Sequence, residues 1–256
     1  MSVYRSLYVS YIAMFKVNLR FPNSFATSLR CAPQTSYIVK TSYRRPISST
    51  SVFKMPEQPT KSEITSKNDP SVSKQYDTET PKDQQWKELY EIIDGDKITT
   101  LNTYRKGTGM VGRSMAISRR DGPKILYLAN KNSRKFDDLA DNKEVQVVIN
   151  DKNQNWVSIS GTAISTENDD PRIKDLYSKP ISAWFGDLGD GVHNGTYEDP
   201  RMAIIEVKPN YIVYWKKTVG SLGFMKEIAQ ATTTGAVAQT GAHREFTEAD
   251  ISKELV

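Results

Sequence analysis

Three consecutive residues, Ser133, Arg134 and Lys135, stand where a strand-like run passes into a short helical one in "LYLANKNSRKFDDLADN" (Leu126 to Asn142). Serine suits a helix N-cap, because its hydroxyl can accept a backbone N–H that has no partner within the helix. Two cations in the next positions do not. The helix N-terminus carries roughly half a positive charge, and a cation there costs about 0.3–1 kcal/mol. A bound anion reverses that sign. Outward-pointing N–H groups, a hydroxyl and two long cations can close around a phosphate, which brings nearly two negative charges and several acceptor oxygens. The alternative is an ordinary helix start whose Arg134 and Lys135 extend into solvent.

Other chemically suggestive residues lead less far. "GTGMVG" (Gly107 to Gly112) matches the glycine spacing of a dinucleotide-binding loop, but "RSMAIS" follows it as a strand-like run, where that loop requires a helix. We therefore read these glycines as a hairpin turn. Cys31 is the only cysteine and lies in the N-terminal segment, so the body has no disulfide, thiolate nucleophile or cysteine-based zinc site. His193 and His243, the only histidines, are fifty residues apart and suggest no metal centre. No triad or carboxylate pair is visible, so the set of catalytic side chains is empty.

The elements that must position the Ser-Arg-Lys turn are mostly strands. "KDQQWKELYEIIDGDK" reads as a helix with Trp86, Leu89, Ile92 and Ile93 on one face and Gly95 as its stop. "ITTLNTYR", "MVGRSMAIS", "KILYLANK", "EVQVVIN" and "WVSISGTAIST" follow as strands separated by "KGTG", "RRDG" and the short helix. "DDPRIKDLY" suits a helix with proline near its first turn, and "GDLGDGVHNGTYEDP" a glycine-rich loop. "RMAIIEV" and "YIVYW" read as two final strands joined by Lys208, Pro209 and Asn210. Beyond them "LGFMKEIAQAT" suits a helix, "TGAVAQTGA" a loop, and "TEADISKEL" a helix capped by Thr247 with Asp250 three residues on. Some seven short strands with turn signals argue for a sandwich or closed barrel, a mainly β fold with short flanking helices.

Charge divides this chain of 256 residues unevenly. All 30 acidic residues lie at Glu57 or later, whereas eight basic ones precede that point; removing those eight from 35 leaves 27 basic against 30 acidic, a net charge of −3. A basic body for nucleic acid is not supported. The acid-free segment, rich in Arg, Ser, Thr and Tyr, has the composition of a mitochondrial transit peptide over residues 1–54. A weak secretory signal over Leu7 to Phe15, or translation starting at Met55 to give a cytosolic product, are the alternatives. No apolar run is long enough for a membrane span. Residues 55–81, almost all polar, read as a flexible arm, leaving 82–217 as the body and 218–256 as a C-terminal helical extension.

"RSMAIS", then "DGPKILYLANKNSRKFDDLADNKEVQVVI", then "WVSISGTA" resemble, in this order and spacing, the FMN-binding split barrels related to pyridoxamine 5'-phosphate oxidase. Within them the chain is most similar to the general stress protein branch and to the fungal blue-light-inducible proteins, from about Trp86 to Trp215. The resemblance implies a six-stranded split β-barrel that forms a homodimer with FMN at the subunit interface. Carried over, Arg113, Ser114 and Met115 would line the cofactor, with Arg113 also near its phosphate. The backbone of Leu128 and Ala129 would run along the flavin ring and ribityl chain, Asn130 would belong to the same cofactor-binding set, and Ser133, Arg134 and Lys135 would hold the phosphate. Trp215 matches a tryptophan that reaches the flavin in the oxidases. Trp184, in "SAWFGD", resembles a segment of the stress branch, with a plain core aromatic as its alternative.

Two departures count against the vitamin-forming reaction. Trp215 is followed by "KKTVGSLGF", without the Arg-x-His element that grips the pyridoxal substrate, and Trp156 stands where those enzymes place a glutamine near the flavin. The resemblance thus implies an FMN-binding protein of the general stress type acting on an unidentified small-molecule redox partner. A non-catalytic flavin or tetrapyrrole binder is the alternative, and a pyridoxamine-phosphate oxidase the third reading.

Overall fold

The computed structural model describes residues 65–255. The transit segment expected over 1–54 and the start of the polar arm lie outside the described residues. From residue 65 onward the arm has structure. It forms helix α1 (Pro70–Gln75), capped by the Asp69 carboxylate, and then lays Tyr76 alongside His243 in a parallel bridge. Its burial comes from sites far along the chain, which local composition does not reveal.

Helix α2 (Lys82–Gly95) buries Gln85, Trp86, Leu89, Ile92 and Ile93, the expected face plus one polar residue. Strands β1 (Ile98–Arg105) and β2 (Gly109–Ala116) form an antiparallel hairpin whose turn uses Gly107 and Gly109 at positive φ. Of the dinucleotide-like glycines, Gly107 and Gly109 therefore make the turn, while Gly112 lies within β2 opposite Asn102. "RRDG" contributes a short strand, β3 (Arg119–Asp121), and the turn to β4 (Lys124–Asn130) falls one residue later, at Gly122 with φ +56°. Helix α3 (Arg134–Asp141) leads into β5 (Glu144–Asn150) and β6 (Trp156–Ser165). Helix α4 (Arg172–Leu176), a 3-10 turn (Lys179–Trp184) and the glycine-rich loop precede β7 (Met202–Lys217).

The two expected final strands are one. β7 runs for sixteen residues and pairs along β6, with a bulge between Ser160 and Gly161 that leaves Asn210 as the extra residue opposite them. The bulge switches which side chains face inward: Ile205 and Val207 before it, Ile212 and Tyr214 after it, all reach the same core. Gly161 makes this close approach possible, since a Cβ there would stand 2.1 Å from the Lys208 carbonyl oxygen. Pro209 interrupts nothing because it sits at the bulge.

The extension is not purely helical. After α5 (Ser221–Thr234) the chain forms β8 (Gly241–Phe246), a strand that the sequence reading did not anticipate and whose first two residues close the stretch read as loop, and then α6 (Glu248–Glu254) with the expected reciprocal Thr247–Asp250 cap. The described strands make one antiparallel sheet in the order β2-β1-β5-β6-β7-β4-β3, with β8 also on β7. The mainly β fold with flanking helices stands, with eight strands where six were implied. The sheet curls around Leu101, Val147, Ile149, Val157, Ile159 and Ile205, roofed by α2, where Trp86 stacks on Phe246 at 3.7 Å between ring centroids. A second apolar cluster, including Leu126, Ile173, Phe185 and Met202, holds the loop region against β4 and β7.

Candidate functional site

β4 delivers the chain to the turn, and α3 begins at Arg134 with Ser133 as its N-cap. The capping differs from expectation. The Ser133 hydroxyl takes no helix N–H. It donates instead to the Asn130 carbonyl at 2.7 Å and accepts from the Lys135 ammonium at 2.6 Å. Asn130 shapes the turn, its side-chain oxygen accepting the Asn132 N–H at 2.9 Å. The Asn130 side chain is thus spent on the backbone, while the first N–H groups of α3 are left uncapped.

Lys135 is half-buried and makes no ion pair with any described residue; the Arg113 guanidinium is close enough to act on it electrostatically. Burial first, and the Arg113 charge second, lower its pKa from the ordinary lysine range. Arg134 is exposed, and its side chain forms no hydrogen bond or ion pair with the described residues. Arg113 comes from β2 and is held from behind: one terminal nitrogen donates to the Thr103 hydroxyl at 2.9 Å, the other to the Asp138 carboxylate at 3.0 Å. Asp138, buried on α3, also accepts Thr103 at 2.8 Å and a two-pronged Arg105 at 2.9 and 3.1 Å. Arg105 foremost, then Thr103 and Arg113 against the cost of burial, hold the Asp138 carboxyl below its ordinary range.

The structure therefore brings Arg113, Ser133 and Lys135 together, with Arg134 beside them. Thr103, Arg105 and Asp138 were not anticipated. The one sequence signal for Asp138 was an acid adjacent to Leu139 on the apolar face of a short helix. The remaining expected residues divide. Ser114 is exposed, whereas Met115 packs against the core on the opposite side of β2, so the two side chains cannot line one ligand together. Leu128 donates its N–H to the Ser118 hydroxyl at 3.0 Å and Ala129 is buried, leaving them a backbone role.

The two tryptophans lie elsewhere in the chain. Trp184 ends the 3-10 turn and is 85% exposed, which removes the core-aromatic alternative. Trp215 pairs with Trp156 and His243 and donates its indole N–H to Gln75 at 2.8 Å, under the arm. β4 pairs with the first residues of β7, Met202 to Val207, and Trp215 lies at that strand's far end. Within one chain the tryptophan does not reach the Arg113–Lys135 cradle. Two surface clefts, of about 560 and 590 Å³, lie along α2 and beside α1 and α5, also away from the cradle.

What the cradle can do chemically is hold a multiply charged anion. Uncapped helix N–H groups, two cations unpaired by any described carboxylate and a third fixed by Asp138 suit a phosphate monoester, which the Ser133 hydroxyl would join by exchanging its bond to the Asn130 carbonyl. The phosphate group of FMN fits this donor set.

Comparison with known proteins places the chain in a family. Residues 84–239 match the model of the family described as "Pyridoxamine 5'-phosphate oxidase like". Protein bli-3 of Neurospora crassa is 34% identical over 187 residues, covering 72% of this chain and 89% of that protein. Among solved structures, general stress protein 26 of Bacillus anthracis aligns at 20% identity over 51% of this chain and 93% of its own, with a TM-score of 0.44. An FMN-binding protein of Nostoc punctiforme, related to pyridoxamine 5'-phosphate oxidase, aligns at 9% identity over 52% of this chain and 79% of its own, with a TM-score of 0.37. With the family model spanning more than half of its residues, the chain belongs to the pyridoxamine 5'-phosphate oxidase-like family.

Proposed function

We propose that this chain is an FMN-binding flavoprotein of the general stress type, with the cofactor phosphate held by Ser133, Arg134, Lys135 and Arg113. The observation that carries the reading is the half-buried Lys135 at the start of α3, whose ammonium is held only by the Ser133 hydroxyl at 2.6 Å and paired with no carboxylate among the described residues, with the Asp138-anchored Arg113 guanidinium acting on it electrostatically. Such a pair is unfavourable alone and favourable around an anion. The backbones of β2 at Arg113 to Met115 and of β4 at Leu128 to Asn130 would flank the ribityl chain and ring. FMN, when bound, supplies hydride or electron transfer; the protein supplies position, charge and shelter from water.

A homodimer with the cofactor at its interface belongs to the same proposal. Ser114, Met110 and Tyr104 are exposed on the face of the β1–β2 hairpin opposite Arg113, a surface on which a second copy could pack. In a dimer, Trp184 or Trp215 from the second copy would be the aromatic wall. The acid-free segment before Glu57 supports delivery to mitochondria. Cell fractionation with sizing of the C-terminal product tests that part.

A non-catalytic flavin or tetrapyrrole binder is the second reading, and one observation favours it. Lys216 and Lys217, which follow Trp215, are engaged by the chain itself: Lys216 pairs with Glu88 at 3.1 Å and Lys217 donates to Gln154 at 2.7 Å. They offer no obvious grip on a substrate. Steady-state oxidation of NADH or NADPH by the flavin-loaded protein decides between the readings: turnover supports the redox enzyme, and its absence with quinone, dioxygen and dye acceptors supports the binder.

A further inference from the structure

Arg113 would not face Lys135 unaided. Both cations would move apart, Lys135 toward solvent and Arg113 along the surface of β2. What prevents this is the carboxylate of Asp138. It is 5% exposed and shared by Arg105, Arg113 and the buried Thr103 hydroxyl at 2.8–3.1 Å. Thr103 closes the arrangement, donating to Asp138 while accepting from Arg113. A guanidinium has five N–H bonds. The described Arg113 bonds, one from each terminal nitrogen, leave further donors unused. Arg105 spends Nε and one terminal nitrogen on the same carboxylate and neutralises it, so Asp138 does not itself repel an anion.

We propose that Asp138, through Thr103 and Arg113, is the positioning residue that makes this site select flavins carrying a terminal phosphate over the unphosphorylated flavin. This deepens, and rests on, the FMN reading. Asp138 touches no ligand. It fixes the one cation that reaches the cradle from outside the helix, and it sits on the same helix as Lys135, so both walls of the cradle share one rigid element. The selectivity is therefore a property of the β1–β2–α3 junction rather than of the Ser-Arg-Lys turn alone.

The test compares FMN with riboflavin on the full chain, freed of flavin and titrated by quenching of flavin fluorescence. Riboflavin lacks the phosphate and reports on everything else. In Asp138→Asn, the FMN dissociation constant is expected to rise about tenfold or more while that of riboflavin changes less than about twofold, since only charged hydrogen bonds to the phosphate are lost. Thr103→Val keeps the strand and the carboxylate and removes the bridging hydroxyl. It is expected to lower the FMN-to-riboflavin preference in the same direction by a smaller factor, and it provides the test if the Asn variant does not fold. Parallel weakening of both flavins would mean that Asp138 only holds the fold, and would overturn the proposal. A full FMN preference retained in both variants would overturn it as well. If the unaltered chain itself binds FMN no better than riboflavin, the cofactor reading falls first, and this inference falls with it.

Discussion

The Lys135 ammonium and the Arg113 guanidinium repel one another across the start of α3, and the only side-chain hydrogen bond that Lys135 makes among the described residues is to the Ser133 hydroxyl. Around the junction Arg105 and Arg113 share the single carboxylate of Asp138, and Lys131 pairs with Glu167 at 2.7 Å. Two guanidiniums on one carboxylate, with Arg134 and Lys135 beside them, leave this junction electropositive. That asymmetry is the physical basis for assigning a phosphate there.

Removing both turn cations should therefore abolish tight cofactor binding without unfolding the chain. Each charged hydrogen bond contributes about 1.5–3 kcal/mol, so Arg134→Ala with Lys135→Ala is expected to weaken FMN by about a hundredfold or more. Flavin titration of the double variant checks this. A loss smaller than about tenfold would mean that these two residues do not hold the phosphate.

The same pair predicts a sign for pH and for stability. The folded, flavin-free chain holds the Lys135 pKa below its unfolded value through burial and the Arg113 charge. The unfolded chain then binds more protons between the two values, so charged Lys135 opposes folding at neutral pH and the penalty is relieved as pH rises through the folded pKa. A bound phosphate pulls that pKa back up, so FMN affinity should fall on the alkaline side as Lys135 loses its proton. Lys135→Met, which keeps most of the apolar stem, should raise the melting temperature of the flavin-free protein while weakening FMN. A lower melting temperature together with unchanged affinity would contradict both signs.

The loop that carries Trp184 is anchored by Asp199 and Arg201. Burial alone would raise the Asp199 carboxyl, but bonds from the Arg201 side chain and from the backbone N–H groups of Arg201 and Gly195 outweigh it and bring it to about 2. Arg201 in turn donates to the carbonyls of Phe185 and Gly186 at 2.9 and 2.8 Å. Because the folded pKa is depressed, this stabilisation is complete above the unfolded value, near 3.9, and is lost as pH falls toward about 2. Asp199→Ala should cost about 3–5 kcal/mol by leaving Arg201 buried and uncompensated. Urea denaturation at pH 7 and at pH 3 tests it, with the difference between the two proteins narrowing at the lower pH.

The two flanks of the family-matched segment hold each other. Arg244 on β8 binds Asp77 of the arm at 2.7 Å, Glu88 of α2, and the Tyr214 hydroxyl at 3.1 Å, while Tyr76 and Tyr211 both donate to Glu245. Arg244→Ala strips one cation from two partly buried carboxylates and should cost about 3–5 kcal/mol. It should also free the arm, exposing Trp215. Limited proteolysis should then cut within residues 65–81 well before the sheet is attacked. Equal resistance in the variant and the parent would show that the arm is held by other means.

Features encoded in adjacent residues were legible in the sequence: the α2 face, the β1–β2 hairpin, the Thr247–Asp250 cap, and the Ser-Arg-Lys turn. What was not legible depends on residues meeting across the fold. Thr103 and Asp138 are 35 positions apart, and neither is unusual in its own segment. "GAHREF" does not read as a strand because its charged residues are paid for at a distance, by Asp77, Glu88, Tyr76 and Tyr211. Pro209 made β7 look like two strands, since a proline normally ends a central ladder; the bulge opposite Gly161 is what admits it.

The central claim, that the Arg113–Lys135 cradle holds the phosphate of FMN, is tested most directly by the visible absorption spectrum of the freshly purified full chain, followed by mass spectrometry of the released small molecule. The account predicts a flavin spectrum and the mass of FMN. A colourless protein that also fails to take up added FMN would contradict it.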